Sequence, residues 1–461
     1  MADTKSNASK TKSLGEDPIP RLVFRFTATT LAALLFNSLY TLLDALFVSW
    51  GVGDDAMGGV SIVLPFVVLQ GAVASAVGGG AASLVSRKLG EGKHAQAGEI
   101  TANAMAVFYG TAIVVSILGL LFMNPLLSAM GVTQELFPYA RQYFLIMLAG
   151  NVFSTGFSNI IRAEGKMLYG LLIWVIPISV NTALDILFIF GLKWGVRGAA
   201  LSTVICQFTS FCMSMLFFKR FTTQVFKGAK VSTKRIREIL AIGLPSLIQM
   251  GSLSAMSLLL NNVLGSVSGT LGVNTFAYIS KIVTFGATPF TAITQALAPI
   301  AGYNYGTGNR TRVRKTLSFC FVLAFVYALL AFLLAQIIPE PLFRIFTKDP
   351  EIIALGTSGV RIIAAALFFM PLPMLVGSYY QAIGQKLWAF IIYAANLLFM
   401  VPSALIAASY FGINGIWWAY VLASALAALL CALRLAVTKK TSKNDDTAQA
   451  KTLAGFYCSD K

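Results

Sequence analysis

Charge is scarce in this chain. Asp, Glu, Lys and Arg together make up 11% of its residues, while apolar types make up 57%. A water-facing surface needs far more charge than that, so a soluble globular protein is excluded. Histidine is scarcer still. His94 is the single one, beside Lys93 and Gln96 in a polar stretch. That excludes a histidine proton relay inside an apolar segment and most histidine-dependent catalysis, and His94 itself is expected to be a solvated loop residue. No Gly-x4-Gly-Lys-Ser/Thr string occurs, so there is no phosphate loop to hydrolyse a nucleotide. The five cysteines, Cys206, Cys212, Cys320, Cys431 and Cys458, fit neither zinc spacing nor a disulfide framework. They read as small buried hydrophobes. With no histidine inside an apolar run, no metal cluster and no nucleophile motif, an enzyme is not expected.

Long apolar runs, by contrast, are abundant. Twelve lie at about 22–50, 60–86, 102–123, 142–161, 169–190, 196–218, 239–264, 274–300, 316–338, 357–381, 387–410 and 415–437. Each approaches the ~20 residues that cross a bilayer as a helix. The second six echo the first. Gly90 and Gly306 follow the second and eighth runs at an offset of 306 − 90 = 216. Gly165 and Gly384 follow the fourth and tenth at 384 − 165 = 219, and Gly191 and Gly412 follow the fifth and eleventh at 412 − 191 = 221. Glycine ends helices by taking positive φ, which explains its place there. The expected fold class is an all-α integral membrane protein, with twelve transmembrane helices in two pseudo-symmetric six-helix bundles. Residues 1–16 form a polar tail, 17–220 the first lobe, 221–238 a basic linker acting as a hinge, 239–437 the second lobe and 438–461 a second polar tail. Duplicated membrane halves point to a transporter with its site between them.

Charge sets the orientation. Of the 35 Lys and Arg residues, 28 fall on the side that holds the N-terminus and six on the other, with Lys281 inside the eighth run. This bias places both termini in the cytoplasm of a plasma or inner membrane. It also accounts for the net charge of +17 through attraction to anionic lipid, without nucleic acid as a partner.

The acidic residues carry the functional information. Asp44 and Asp185 lie well inside apolar runs. Such a residue costs ~2.5–3.5 kcal/mol at a helix centre on an insertion scale, so it reads as an ion or proton site, with an interhelical hydrogen bond as the alternative. Asn37, Tyr40 and Asp44 form one helical stripe, Asn181 and Asp185 share a face at i, i+4, and so do Thr203 and Gln207. These hard oxygen donors suit a proton network or sodium. No Asp or Glu falls within a second-half run, so the site belongs to the first half. Glu164, between Arg162 and Lys166, reads as a solvated charged turn or a gating ion pair. Lys281 reads as a cation on backbone carbonyls, a snorkelling side chain or a partner for a carboxylate. Gly78-Gly79-Gly80 reads as a surface for close helix packing. Candidates to face a cavity for bulky cations are Phe36, Tyr40, Phe153, Phe157, Met250, Met256 and Tyr278, since aromatic faces attract cations and Met adapts to shape.

The chain resembles the multidrug and toxic compound extrusion (MATE) family, and most of all its MepA-like branch. The resemblance rests on Asn37-x2-Tyr40-x3-Asp44, on the run Ala82-Ser83-Leu84-Val85-Ser86-Arg87-Lys88-Leu89-Gly90-Glu91-Gly92, and on Arg162-Ala163-Glu164-Gly165. It continues through Asn181-x3-Asp185 and Pro299-Ile300-Ala301-Gly302-Tyr303-Asn304-Tyr305-Gly306. It implies two six-helix bundles around a central cavity and export of small amphipathic organic cations in exchange for H⁺ or Na⁺, with no cofactor. It implies that Asp44, Asn181, Asp185 and Thr203 match the family's first-lobe cation site. The second-lobe acids of some relatives are absent, and so is a proline that bends the first helix in some members. A monomer among membrane lipids is expected. The other reading is a lipid-linked oligosaccharide flippase of related architecture, for which more spans and a cationic cavity are expected.

Overall fold

The computed structural model describes residues 13–458, apart from 131–133, 155, 227 and 345–348. Residues 1–12 of the expected N-terminal tail and 459–461 of the C-terminal one lie outside the described residues. Every regular element among the described residues is helical. Apolar runs of this length leave no alternative, because a membrane-spanning backbone must satisfy its own hydrogen bonds.

Nine helical runs among the described residues are long and apolar enough to cross a membrane. Two longer helical stretches each resolve into two spans. Lys386–Cys458 is interrupted at Gly412, whose φ of 58° and ψ of −139° are not helical. Thr233–Gly306 reverses direction. Gln381 donates to the Ile242 carbonyl and the Ser246 hydroxyl, while Ser378, one turn away, donates to the Thr294 carbonyl. On a straight helix Ser246 and Thr294 would be about 72 Å apart, so this stretch folds back as an antiparallel pair. Twelve spans result.

The glycine repeat is visible in the backbone, with a correction at its first pair. Gly90 and Gly306 are the last helical residues of their spans and do not have positive φ, which falls two residues on, at Gly92 and Gly308, with φ of 73° and 80°. Gly165 and Gly384 have φ of 79° and 83°. The pairing of Gly191 with Gly412 needs correction. Gly191 closes a π-helical turn and does not have positive φ, whereas Gly195 has φ 59° and ψ −138°, matching Gly412 almost to the degree. Only glycine adopts this conformation cheaply. The offset becomes 412 − 195 = 217, closer to the other two. The repeat also reaches features with no sequence signature. The fourth span is broken by a 3₁₀ turn at Asn151–Phe153, and the tenth by one at Ala364–Phe368.

By compactness the chain forms two units. One comprises Met1–Gly251, Gly286–Ala324 and Gly377–Phe390, and the other Ser252–Phe285, Phe325–Val376 and Ile391–Lys461. The first unit therefore joins the first six spans to the basic ends of five later ones. Glycines permit that joint. A Cβ at Gly80 would stand 2.2 Å from the Ile239 carbonyl oxygen, and one at Gly243 would stand 2.1 Å from that of Ala76. A Cβ at Gly90 would meet the Tyr303 oxygen at 2.1 Å, and one at Gly306 the Arg87 oxygen at 2.1 Å. Backbones touch at these crossings, as small residues allow in membranes. Polar bonds reinforce them: Ser83 Oγ donates to the Gln381 carbonyl at 2.6 Å, and Arg162 donates to Gln295 Oε1 and Asn159 Oδ1 at 2.6 Å each. Within the second unit, Trp417 is fully buried, stacked 6.3 Å from Phe276 and set against Gly359.

The linker is a strap rather than a loose hinge. Glu164 is fully buried, which corrects the solvated turn. Its Oε1 accepts from Thr222 Oγ1 at 2.5 Å and Gln224 Nε2 at 2.7 Å, and its Oε2 from the Thr223 N–H at 2.9 Å and Oγ1 at 3.0 Å. Burial pushes this carboxyl above the ordinary glutamate range, against the pull of those donors. His94 is not a free loop residue either. Its Nδ1 lies 2.9 Å from the Thr223 carbonyl oxygen, and the Val225 N–H donates to its carbonyl at 3.1 Å. Further on, Asn103 donates to Lys230 O at 2.8 Å and accepts from Ser232 N at 2.7 Å. Glu164→Gln turns an acceptor into a donor facing donors. With charge-assisted bonds worth about 1.5–3 kcal/mol each, the variant should melt several degrees lower and be cut faster by trypsin at Lys230. Equal melting and equal cleavage would show that the strap is held without Glu164.

Candidate functional site

The first-half acids converge. Asp44 sits in the first span (Ile19–Val52), and Asp185 ends the α-helical part of the fifth (Met167–Asp185). Directly after Asp185 the backbone widens into a π-helical turn, Ile186–Gly191. Such turns mark functional positions in membrane helices, because the extra residue frees backbone groups and re-aims side chains. Asn181 lies one turn back on the same helix and is fully buried, as is Asp185 at 1% exposure.

The sixth span (Val196–Arg220) supplies the partners. The buried Ser202 hydroxyl donates to Asp185 Oδ1 and also bonds the Ala199 carbonyl at 2.8 Å. The Thr203 hydroxyl donates to the Ala199 carbonyl at 3.0 Å and lies near the Tyr40 and Tyr143 hydroxyls, and Asp44 lies close enough to act electrostatically on both tyrosines. Asp44 and Asp185 also feel each other, and both act on Cys206. Four spans thus contribute to one polar cluster in an apolar surround: the first, fourth, fifth and sixth.

Several polar atoms in the cluster are buried with no protein partner: Asp44 Oδ1, Asp185 Oδ2, both amide atoms of Asn181, and Gln207 Oε1. Such atoms are expensive in low dielectric. Four of them are hard oxygens, and two belong to carboxylates. The set fits a small cation or a proton, which would neutralise charge and satisfy the lone pairs.

The site expected from the sequence therefore comes together in large part. Asp44, Tyr40, Asp185 and Thr203 lie in the cluster, and Asn181 and Gln207 each stand one helical turn from a member of it, Asp185 and Thr203 respectively. Asn37 is half-buried one stripe position earlier on the first span. Sequence reasoning missed Ser202, Tyr143 and Cys206. Ser202 adjoins Thr203, but its neighbour's i, i+4 pairing with Gln207 drew attention to the other face. Tyr143 has no polar stripe to flag it.

The cavity candidates divide. Phe157 is corrected: it is fully buried, edge-on to Phe108 at 5.2 Å and to Phe218 at 5.5 Å, in the apolar core of the first unit. A ring enclosed on all sides by packing offers no face to a ligand. Met256 is corrected for the same reason, being 7% exposed inside the second unit. Phe153 packs on Phe208 at 4.9 Å and Phe211 at 5.6 Å and is half-buried. Phe36 is 44% exposed, and Met250 is half-buried. In the second unit the Lys281 side chain is exposed, with its Nζ 5.9 Å from the Tyr278 ring centroid. Of the three readings for Lys281, an exposed ammonium above a ring fits snorkelling best.

A duplicated set of membrane helices, joined at glycine crossings and carrying buried acids in one half, defines a secondary-transporter architecture. The chain belongs to the MatE family, whose profile matches residues 30–187 and 245–406. It is similar to the multidrug export protein MepA of Staphylococcus haemolyticus, at 22% identity over 383 residues, covering 82% of this chain and 84% of that one. MepA of Staphylococcus aureus is likewise 22% identical over 384 residues, with the same coverage. Among solved structures, one described as the outward-facing conformation of a multidrug resistance MATE family transporter of the MOP superfamily superposes with a TM-score of 0.86 at 24% identity. It covers 93% of this chain and 98% of that chain. A MATE structure in the bent conformation superposes with a TM-score of 0.87 at 24% identity, covering 94% and 99%. The fold is therefore that of MATE transporters.

Proposed function

We propose that this protein exports amphipathic organic cations across the cell membrane, driven by inward exchange of protons at the Asp44–Asp185 cluster. The observation that carries the reading is the pair of buried carboxylates whose Oδ1 (Asp44) and Oδ2 (Asp185) lack any protein partner. The similarity to proteins named multidrug export proteins supports the cargo class. Both termini lie in the cytoplasm, in keeping with the 28-to-6 division of Lys and Arg. The protein works as a monomer.

Two carboxylates in one low-dielectric pocket repel, so the pair favours holding a proton between them. Taking up that proton removes a negative charge from the interior and weakens attraction for a cationic cargo. Releasing it to the cytoplasm restores the charge and readies the protein for the next cation. Ser202 holds Asp185, and Thr203 stands next to it on the same helix, near Tyr40 of the first span and Tyr143 of the fourth. Alternating access needs each ligand to favour one state, and charge competition supplies that difference.

The four unpartnered oxygens favour sodium as a second reading. Proteoliposomes loaded with a fluorescent dye cation separate the two. Efflux under a pH gradient alone, with sodium absent, is the expected result, and dye affinity should fall from pH 9 toward pH 5. Efflux only when a sodium gradient is supplied would replace H⁺ by Na⁺. Efflux under neither gradient would reject both.

A further inference from the structure

A cleft away from the acidic cluster lies at the basic ends of the helices. It encloses about 680 Å³ between the start of the first span, the start of the fifth and the end of the sixth. Among the described residues its lining carries two cations, Arg25 and Lys166, with the hydroxyls of Ser13 and Thr29, and no carboxylate. Arg25 meets Asp17 only at 3.7 Å, with both side chains more than a third exposed, a weak pair that leaves the guanidinium available. The fifth span begins at Met167 with no side-chain cap and no acid in its first turn. Met167, Leu168 and Tyr169 line the cleft, so the positive end of a 19-residue helix adds to its field.

Deeper, the cleft is apolar and aromatic. The Tyr169 ring lies 5.0 Å from Phe217 and 5.7 Å from Phe221, and Tyr169 is fixed by its hydroxyl on the Met213 carbonyl at 2.8 Å. Leu168 and Leu172, on the outer side of the same helix, are 64% and 37% exposed. Cations at the rim and a continuous apolar wall below have the polarity of a lipid molecule. A cationic drug would be repelled by the rim. A free inorganic anion would leave the aromatic wall unused.

We propose that this cleft binds one anionic glycerophospholipid of the cytoplasmic leaflet. Its phosphate sits among Arg25, Lys166 and the first turn of the fifth span, and an acyl chain runs along Leu168 and Leu172. Because the fifth span carries Asn181 and Asp185, the lipid braces the helix that holds half of the acidic cluster. The leaflet follows from the orientation proposed above, but binding itself does not depend on it or on the coupling ion.

Native mass spectrometry of the full-length protein, with phosphatidylglycerol or phosphatidylcholine of identical acyl chains, tests this. Phosphatidylglycerol should be retained at least about fivefold better, the effect of roughly one basic contact. The double variant Arg25→Gln, Lys166→Gln should retain the two lipids equally, while Arg25→Lys should keep the preference. Leu172→Trp, which fills the cleft, should lose phosphatidylglycerol without altering the melting temperature. If the double variant fails to fold, the contrast between Arg25→Lys and Arg25→Gln decides the matter. Equal retention by the wild type, or an unchanged preference in the variants, overturns the proposal. Displacement of the lipid by millimolar inorganic phosphate also overturns it, because the site would then be for a free anion.

Discussion

Asp44→Asn should reduce gradient-driven dye efflux at least tenfold while the protein still inserts and folds. The substitution keeps the side chain's size and removes its charge. Charge in an apolar span costs ~2.5–3.5 kcal/mol, so the variant should melt at or above the wild-type temperature. A loss of transport with unchanged or higher stability separates a coupling role from a structural one. Asp44 Oδ1 has no protein partner to lose, so a packing explanation for such a loss would have little to stand on. The binding of dye should also lose its dependence on pH. Ser202→Ala, which leaves Asp185 Oδ1 without its donor, should shift that pH dependence while retaining some transport. Wild-type efflux in Asp44→Asn would remove the acidic cluster from the mechanism.

Gly306→Ala and Gly80→Ala should each cut transport by an order of magnitude and lower the melting temperature. The added Cβ would stand 2.1 Å from the Arg87 carbonyl oxygen in one case and 2.2 Å from that of Ile239 in the other. Both obstacles are backbone, so no rotamer change relieves them, and the helices must move apart by about 1 Å, beyond what close packing absorbs cheaply. Gly71→Ala is the control. Nothing stands within 4 Å of a Cβ there, and exchanging glycine for alanine within a helix should be neutral or mildly stabilising. Equal damage in all three variants would mean that general helix effects, not the crossings, are being measured. Normal transport in Gly306→Ala would show that this end of the molecule need not close tightly.

The sequence announced its spans because hydrocarbon imposes a length and a composition that water does not. It announced Asp44 and Asp185 because an acid in an apolar run stands out by its cost. The glycine punctuation was legible where positive φ excludes other residues, at Gly165 and Gly384, and it was two residues early at Gly90 and Gly306, where the positive φ belongs to Gly92 and Gly308. It misled at Gly191, because the π-helical turn takes in that residue without positive φ and leaves the positive-φ position to Gly195. What stayed hidden depends on packing between distant segments. Nothing near Glu164 in sequence announces that Thr222, Thr223 and Gln224, about sixty residues later, will cover it. Tyr143 joins the acidic cluster only because the fourth span lies against the sixth. Phe157 looked like a ligand-facing aromatic until its surroundings were known, since one helix cannot tell which side its neighbours occupy.

The strap has a mechanical consequence. A segment acts as a swivel only if it has spare contour length, and this one is pinned near both ends, at Thr222–Val225 and at Lys230–Ser232, to Glu164, His94 and Asn103. All of these residues belong to the first unit, so the strap splints that unit. Along the spans, the matched 3₁₀ breaks at Asn151–Phe153 and Ala364–Phe368 are where a rod already interrupted has the fewest α-helical bonds to lose. In an engineer's terms, the strap is a splint lashed to one frame, and the joints are cut into the struts.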